Sequence, residues 1–324
     1  MKIAVTIEKA RVDKFCDYGK LPKDCELVFA KSPRVEDMKD CLDSDVLYVN
    51  AMQQVHADIM DRMPNLRMIH SEGVAFDKID VEYAKAKGIY VCNARGANAG
   101  QVAEQTILLI LNVLHRFEEG SNLMKAGLQK ETQSKFIQEG LLDLEGAKVG
   151  ILGFGAIGKE LAKRLVVFGC KLYYYDPLPA TAEIEQKYQI ERMSFDDILK
   201  TCDIVSLHLP VTPETRGIIN KEHLSMMKPS AILINTSRGE IVNNEDLVWA
   251  IKNDVIYGAG LDTIAPEPVP KDSPILTIEK PYSYRVAISP HIAGTTLSAF
   301  RNMYSIFAEN VNKIANGEKP VTLV

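Results

Sequence analysis

Short β-branched runs alternate with longer helical patterns along the chain, and the alternation occurs twice. In the first third, "KIAVTI", "CELVFA", "DVLYVN", "RMIHSE" and "IYVCNA" predict strands, and "RVEDMKDCL" and "HADIMDRM" predict helices between them. From Lys148 the series restarts with "KVGILGF", "KLYYYD", "IVSLHLP", "AILINTS", "YGAGLDT" and "RVAISPH". Strand–helix alternation of this kind builds parallel sheets with crossover helices, so two series predict two α/β domains. Between them, "NAGQVAEQTILLILNVLHRFEEGSNLMKAG" is rich in Ala, Gln, Glu and Leu with one apolar face and predicts a single long helix. "TTLSAFRNMYSIFAENVNKIANG" predicts a second, stopped by Gly317. If that last helix returns to the first domain, the domain is discontinuous, residues 1–100 with 296–324, and a cleft separates it from residues 101–295.

Composition narrows the classes. At 324 residues the chain is too long for one ordinary core. Its 46% hydrophobic and 25% charged content is that of a globular protein, which excludes disordered and fibrous classes. A net charge of −5 argues against a nucleic-acid partner. The six cysteines are scattered, with no C-x-x-C and no histidine cluster, so neither a disulfide framework nor a metal site is expected. The N-terminus lacks the apolar core of a signal peptide, and "TILLILNVL" is too short to span a bilayer. A soluble, cytoplasmic protein with no membrane partner is expected.

The chemistry begins at "AKVGILGFGAIGKELAKRL", where Gly153, Gly155 and Gly158 follow a strand and open an amphipathic helix. In this context G-x-G-x-x-G makes a tight turn at Gly153, admits a pyrophosphate at Gly155 and packs helix on strand at Gly158. Asp176 closes the next strand, where a carboxylate accepts from the adenosine ribose hydroxyls and repels a 2′-phosphate, favouring NAD over NADP. A methyltransferase using the same turn for S-adenosylmethionine is the rival on this motif alone.

Three later strands end in polar residues. "AILINTSRGEIV" is apolar and then carries Arg238, "YGAGLDTIAPEP" gives Asp262 and Glu267, and "RVAISPHIAG" gives His291. Singly, a strand-end arginine is ordinarily a surface charge and a lone histidine is ordinarily structural. Ligands of open α/β sheets sit at the carboxyl ends of the strands, however, and all three residues fall there beside a dinucleotide site. Their chemistry fits reduction of a 2-keto acid. The Arg238 fork suits a carboxylate and the carbonyl oxygen as it gains charge. His291 serves as proton donor, with Glu267 orienting it and raising its pKa. The hydride comes from the nicotinamide.

With these residues in view, the chain resembles the D-2-hydroxyacid dehydrogenase family over nearly its whole length. "GILGFGAIG" with "YYYDP", "HLPVTPETRGIIN", "LINTSRGEIV", "LDTIAPEP" and "SPHIAG" resemble its cofactor and catalytic segments, and "SEGVAFDKID" and "NARGANAGQVAEQ" its substrate-domain loops. The resemblance implies two Rossmann-like domains with parallel sheets: a flavodoxin-like substrate domain completed by the C-terminal helix, and an NAD-binding domain. It places the active site in the cleft between them and implies a homodimer built largely through the cofactor domain. It assigns catalysis to Arg238, Glu267 and His291, and the substrate carboxylate to Arg238 and the backbone of Val74 and Ala75. The cofactor falls to Gly153, Gly155, Ala156, Ile157, Gly158 and Asp176. Leu209 and Pro210 are implied near its adenosine half and Thr236 and Asp262 near its nicotinamide half, with Ser237 and Gly294 also among its contacts.

There are departures from the family pattern. Ala75 stands where the family usually has glycine, Arg95 replaces a frequent proline, Thr263-Ile264 replaces a Val–aromatic pair, and "TIEKPYSYRVAI" is several residues longer than usual. Arg95 is either a ligand for a second anionic group of the substrate or a solvent-facing charge, and His70 reads as packed structure. The expected activity is NAD-dependent interconversion of a 2-keto acid and a D-2-hydroxy acid. The alternative is an NAD-binding regulatory module of the corepressor type, which shares the fold and the three residues.

Overall fold

The computed structural model describes residues 1–324, which fall into two compact units: Met1–Asn98 with Thr295–Val324, and Ala99–Gly294. No helix is long and apolar enough to cross a membrane.

In the first unit, strands β1 (Lys2–Val5), β2 (Glu26–Phe29), β3 (Val46–Val49), β4 (Met68–Ser71) and β5 (Tyr90–Cys92) form a parallel sheet in the order β2-β1-β3-β4-β5. This is the flavodoxin-like order of a doubly wound sheet. One face is covered by the C-terminal helix Leu297–Ala315, whose Tyr304, Phe307, Ala308, Val311 and Ile314 pack on Ile3, Val5, Tyr48 and Met68. Phe307 stacks on Tyr48 with centroids 3.7 Å apart, both rings fully buried. The helix ends where Gly317 turns to φ 72°, so the expected glycine stop is present. After it the chain runs antiparallel along β5, with Val324 N–H bonded to the Val91 carbonyl at 3.1 Å.

In the second unit, β6 (Lys148–Leu152), β7 (Lys171–Tyr175), β8 (Ile190–Arg192), β9 (Ile204–Leu207), β10 (Ile232–Asn235), β11 (Gly258–Leu261) and β12 (Val286–Ile288) run parallel in the order β12-β11-β10-β9-β6-β7-β8. The order reverses at the β6/β9 pair, which is the switch point where such sheets bind dinucleotides. β8, a three-residue strand at the sheet edge, is not among the expected strands.

Two helix expectations fail. Residues 34–42, "RVEDMKDCL", form successive turns closed by i→i+3 bonds such as Asp37 N–H to Arg34 O and Cys41 N–H to Met38 O. So short a segment gains little from helix propagation, and Ser32 Oγ donates to the Asp37 carboxylate at 2.5 Å, which favours a turn. Residues 98–127 are two helices, Ala99–Leu114 and Phe117–Lys125, broken at Arg116 with φ 50°. Arg116 there pairs with Glu119 and Glu139 and lies over the Phe136 ring, so partners from the helix Gln129–Glu139 offset its left-handed backbone. The longer run before Ser289 folds into a turn of helix, Tyr282–Arg285, anchored by Lys252–Glu279 and Arg285–Asp254 pairs at 2.6 Å each.

Candidate active site

One row of the second sheet organises the site. Tyr175, Leu152, Leu207, Asn235, Leu261 and Ile288 are consecutive cross-strand partners at the carboxyl ends of β7, β6, β9, β10, β11 and β12. Every site residue proposed in this unit follows that row by a few positions.

At β6 the chain turns at Gly153, φ 98°, where a Cβ would lie 2.5 Å from the His208 carbonyl oxygen. The glycine turn thus abuts the backbone of His208 and Leu209, as the switch point requires. A Cβ at Gly158 would meet the Gly153 carbonyl oxygen at 2.5 Å, whereas one at Gly155 meets nothing within 4 Å. Gly155 caps the helix Ala156–Leu165, and Ala156 and Ile157 supply its first turn, so open space borders a helix N-terminus suited to an anion. Asp176 accepts from Phe154 N–H at 2.9 Å and Leu178 N–H at 3.0 Å, so the carboxylate is fixed against the glycine turn with lone pairs left over. These features fit a dinucleotide: room at the phosphate position, free helix N–H groups, and an oriented acid for the ribose.

Arg238 follows β10 in extended conformation and is half-buried. Its guanidinium bonds to the Ser237 carbonyl at 2.8 Å and forms no ion pair, so the charge is held without being neutralised. Asn235 builds the turn, its Nδ2 donating to the Arg238 carbonyl at 2.9 Å and its Oδ1 accepting from Ser237 N–H and Oγ. Next to it, a Cβ on Gly239 would fall 2.2 Å from Ala265 N, so only glycine lets the Arg238 turn rest on the loop that leads to Glu267.

His291 follows β12 with φ 54°, a conformation uncommon outside glycine and one that recurs at functional sites. Its Nδ1 lies 2.8 and 3.0 Å from the two Glu267 carboxylate oxygens, both side chains being partly exposed. Nδ1–H donating to Glu267 leaves Nε2 for proton transfer. Asp262 holds this segment: its carboxylate accepts from Ser289 Oγ (2.5 Å), Ile292 N–H (3.0 Å) and Ala293 N–H (2.9 Å), and its carbonyl accepts from His291 N–H. Gly294 ends the unit just beyond. Thr236 directs its hydroxyl to Thr106 Oγ1 at 2.9 Å, Leu209 is buried and Pro210 exposed.

Asn235, Gln105 (Nε2 to Ser289 Oγ, 2.9 Å) and His208 are structural supports that the sequence did not single out. His208 bonds to Ser206 Oγ at 2.9 Å, and burial lowers its pKa to about 3, so it stays neutral. Asn235 and His208 showed only as the ends of largely apolar strands, and Gln105 only as one polar position of a predicted helix.

In the first unit, Val74 and Ala75 lie on the loop after β4, half-buried. Arg95 is exposed, its N–H bonded to Asn93 Oδ1 at 3.2 Å and its side chain unpaired. His70 is packed structure: it is fully buried, burial lowers its pKa to about 4, Nδ1 donates to the Ser71 carbonyl at 2.8 Å, and Nε2 accepts from Asn310. No group of three His, Cys, Asp or Glu is placed to hold a metal.

A nucleotide turn at a Rossmann switch point, with a histidine–carboxylate pair and an unneutralised arginine along the same sheet edge, defines a nicotinamide-dependent oxidoreductase. The family model described as "D-isomer specific 2-hydroxyacid dehydrogenase, NAD binding domain" matches residues 107–293. A glyoxylate reductase of Thermofilum pendens is 36% identical over 316 residues, covering 94% of this chain and 89% of that one. A hydroxypyruvate reductase of Thermotoga maritima is 36% identical over 281 residues, 86% of this chain and 87% of its own. Among solved structures, the D-lactate dehydrogenase of Aquifex aeolicus complexed with NAD and lactic acid superimposes with a TM-score of 0.84 at 26% identity, covering 100% of this chain and 99% of that one. The chain belongs to the D-isomer specific 2-hydroxyacid dehydrogenase family and is an NAD-dependent oxidoreductase.

Proposed function

We propose that the protein reduces a small 2-keto acid to the D-2-hydroxy acid, with Arg238, Glu267 and His291 carrying the chemistry. The observation that carries this reading is the His291–Glu267 pair at 2.8 Å on the same sheet edge as an arginine without an acid partner. NAD, when bound in its reduced form, supplies the hydride. Arg238 holds the substrate carboxylate and stabilises charge developing on the carbonyl oxygen. His291 holds the proton at Nε2 and delivers it to that oxygen, while Glu267 fixes the ring through Nδ1. Gly153, Gly155, Ala156, Ile157, Gly158, Asp176, Leu209, Pro210, Thr236, Ser237, Asp262 and Gly294 are proposed cofactor contacts. The backbone of Val74 and Ala75 is proposed to bind the substrate carboxylate. The relatives named above are reductases or dehydrogenases matched over most of their length, which favours catalysis over a regulatory binding module.

The test is oxidation of NADH against glyoxylate, hydroxypyruvate, pyruvate, phenylpyruvate, 2-ketoglutarate and phosphohydroxypyruvate. Turnover with the small monoanions is expected. Silence with all six while NADH binds would refute the reading, and preference for a dianion would give Arg95 a substrate role.

Two further features follow. Leu108, Phe117, Met124, Leu128, Ile137 and Leu141 are exposed on the helices Ala99–Leu114, Phe117–Lys125 and Gln129–Glu139 and their connections, Ile137 to 76%. So many exposed apolar side chains on consecutive elements support a homodimer formed through this unit, as the family resemblance implies. Six free cysteines, all with pKa raised by burial, support a cytoplasmic location.

A further inference from the structure

The loop after β4 is held in an unusual way. Its three successive carbonyls all point into the first unit: Gly73 O accepts from Ala94 N–H at 2.8 Å, Val74 O from Asn93 Nδ2 at 2.6 Å, and Ala75 O from Ser71 Oγ at 2.6 Å. These peptide bonds are trans, so each carbonyl held inward turns the next N–H the opposite way. The N–H groups of Val74, Ala75 and Phe76 therefore face away from those contacts, and none donates to an acceptor in the protein. Three successive backbone N–H groups without a partner are the donors that an anion site uses.

What holds the carbonyls is itself held by a closed chain of buried groups. His70 Nδ1 donates to the carbonyl of Ser71, and its Nε2 accepts from Asn310 Nδ2 at 3.0 Å. The other Asn310 amide hydrogen goes to Thr322 Oγ1 at 2.7 Å, and Asn310 Oδ1 accepts from Val321 N–H at 2.8 Å. Thr322 Oγ1 then donates to the Asn93 carbonyl at 2.6 Å. His70, Ser71, Asn93 and Asn310 are all buried, and every side-chain donor of His70, Asn310 and Thr322 is used. A buried network with its central groups satisfied favours one arrangement, and its two ends, Ser71 and Asn93, are the residues whose side chains grip the loop.

Resting on the function proposed above, we propose that Ser71 and Asn93, braced through His70, Asn310 and the C-terminal Thr322, are positioning residues that aim three backbone donors, those of Val74, Ala75 and Phe76, at the substrate carboxylate. The C-terminal segment thereby takes part in substrate affinity without touching substrate.

The test compares Asn93→Asp, Thr322→Val and Thr322→Ser with the wild type. The readouts are KM for glyoxylate, kcat, KM for NADH, calorimetric binding of oxalate to the NADH complex, and the thermal midpoint. Asn93→Asp sets an acceptor against the Val74 carbonyl, so KM and the oxalate Kd are expected to rise about tenfold, with kcat and the NADH KM within about threefold. Thr322→Val should move KM in the same direction, and Thr322→Ser, which keeps the hydroxyl, should restore it. A lower thermal midpoint with unchanged KM and oxalate binding in both Asn93→Asp and Thr322→Val would make the network merely structural and overturn the inference. Absence of wild-type turnover would instead strike the proposed activity. Oxalate binding would still report on the loop, and its insensitivity to both variants would overturn the inference on its own.

Discussion

Asp176 shows how much one carboxylate does here. It fixes the glycine turn through Phe154 N–H and keeps lone pairs for the proposed ribose contact. Asp176→Ala is expected to raise kcat/KM for NADPH relative to NADH by removing the repulsion of a 2′-phosphate. An unchanged cofactor ratio would mean that Asp176 serves only the turn. Glu267→Gln keeps the shape of the His291 contact and removes its charge, so kcat is expected to fall by about 10–10²-fold with NADH affinity retained. Steady-state kinetics with a fluorescence titration of NADH checks both. Residues of this kind were legible in the sequence because each combines a special side chain with a strand end. Asn235, Asp262 and Asn93 as braces were not, because their roles come from hydrogen bonds to backbone that only the fold brings near.

At the scale of elements, the strands were more readable than the helices. Buried parallel strands such as β9, "IVSL", and β10, "ILIN", announce themselves by near-continuous apolar character. The polar helix Gln129–Glu139 and the left-handed break at Arg116 leave no periodic signal, since both depend on ion pairs formed after folding. β4 carries a pH-dependent element of its own. His70 is buried neutral with a pKa lowered from 6.5 to about 4 by desolvation, so the unfolded chain takes up the proton first. Its contribution is intact above the unfolded value and is lost as pH falls toward the folded one. Between pH 7 and pH 5 the first unit is expected to lose about 2 kcal/mol of stability from this residue. Urea unfolding at the two pH values measures it, and His70→Gln should flatten the dependence; an equal slope in the variant would assign the effect elsewhere.

At the scale of the molecule, the two units are distinct α/β sheets: a flavodoxin-like order carrying the proposed carboxylate loop, and a Rossmann order carrying the proposed cofactor turn and the proposed catalytic side chains. The flavodoxin-like and Rossmann orders were implied by the family resemblance, while the repeated alternation had already given two α/β domains. The C-terminal helix belongs to the first unit because Tyr304, Phe307 and Val311 have an apolar sheet face to cover. For the assembly, Ile137→Asp is expected to shift the protein from dimer to monomer in sedimentation, and a wild-type monomer would remove that proposal. The central claim is that His291 delivers the proton and does not itself hold the cofactor. The most direct test measures kcat and the NADH Kd together for His291→Ala. A fall in kcat of about 10²-fold or more with the Kd unchanged is the expected result. A loss of NADH binding equal to the loss of turnover, or no loss of turnover at all, would contradict it.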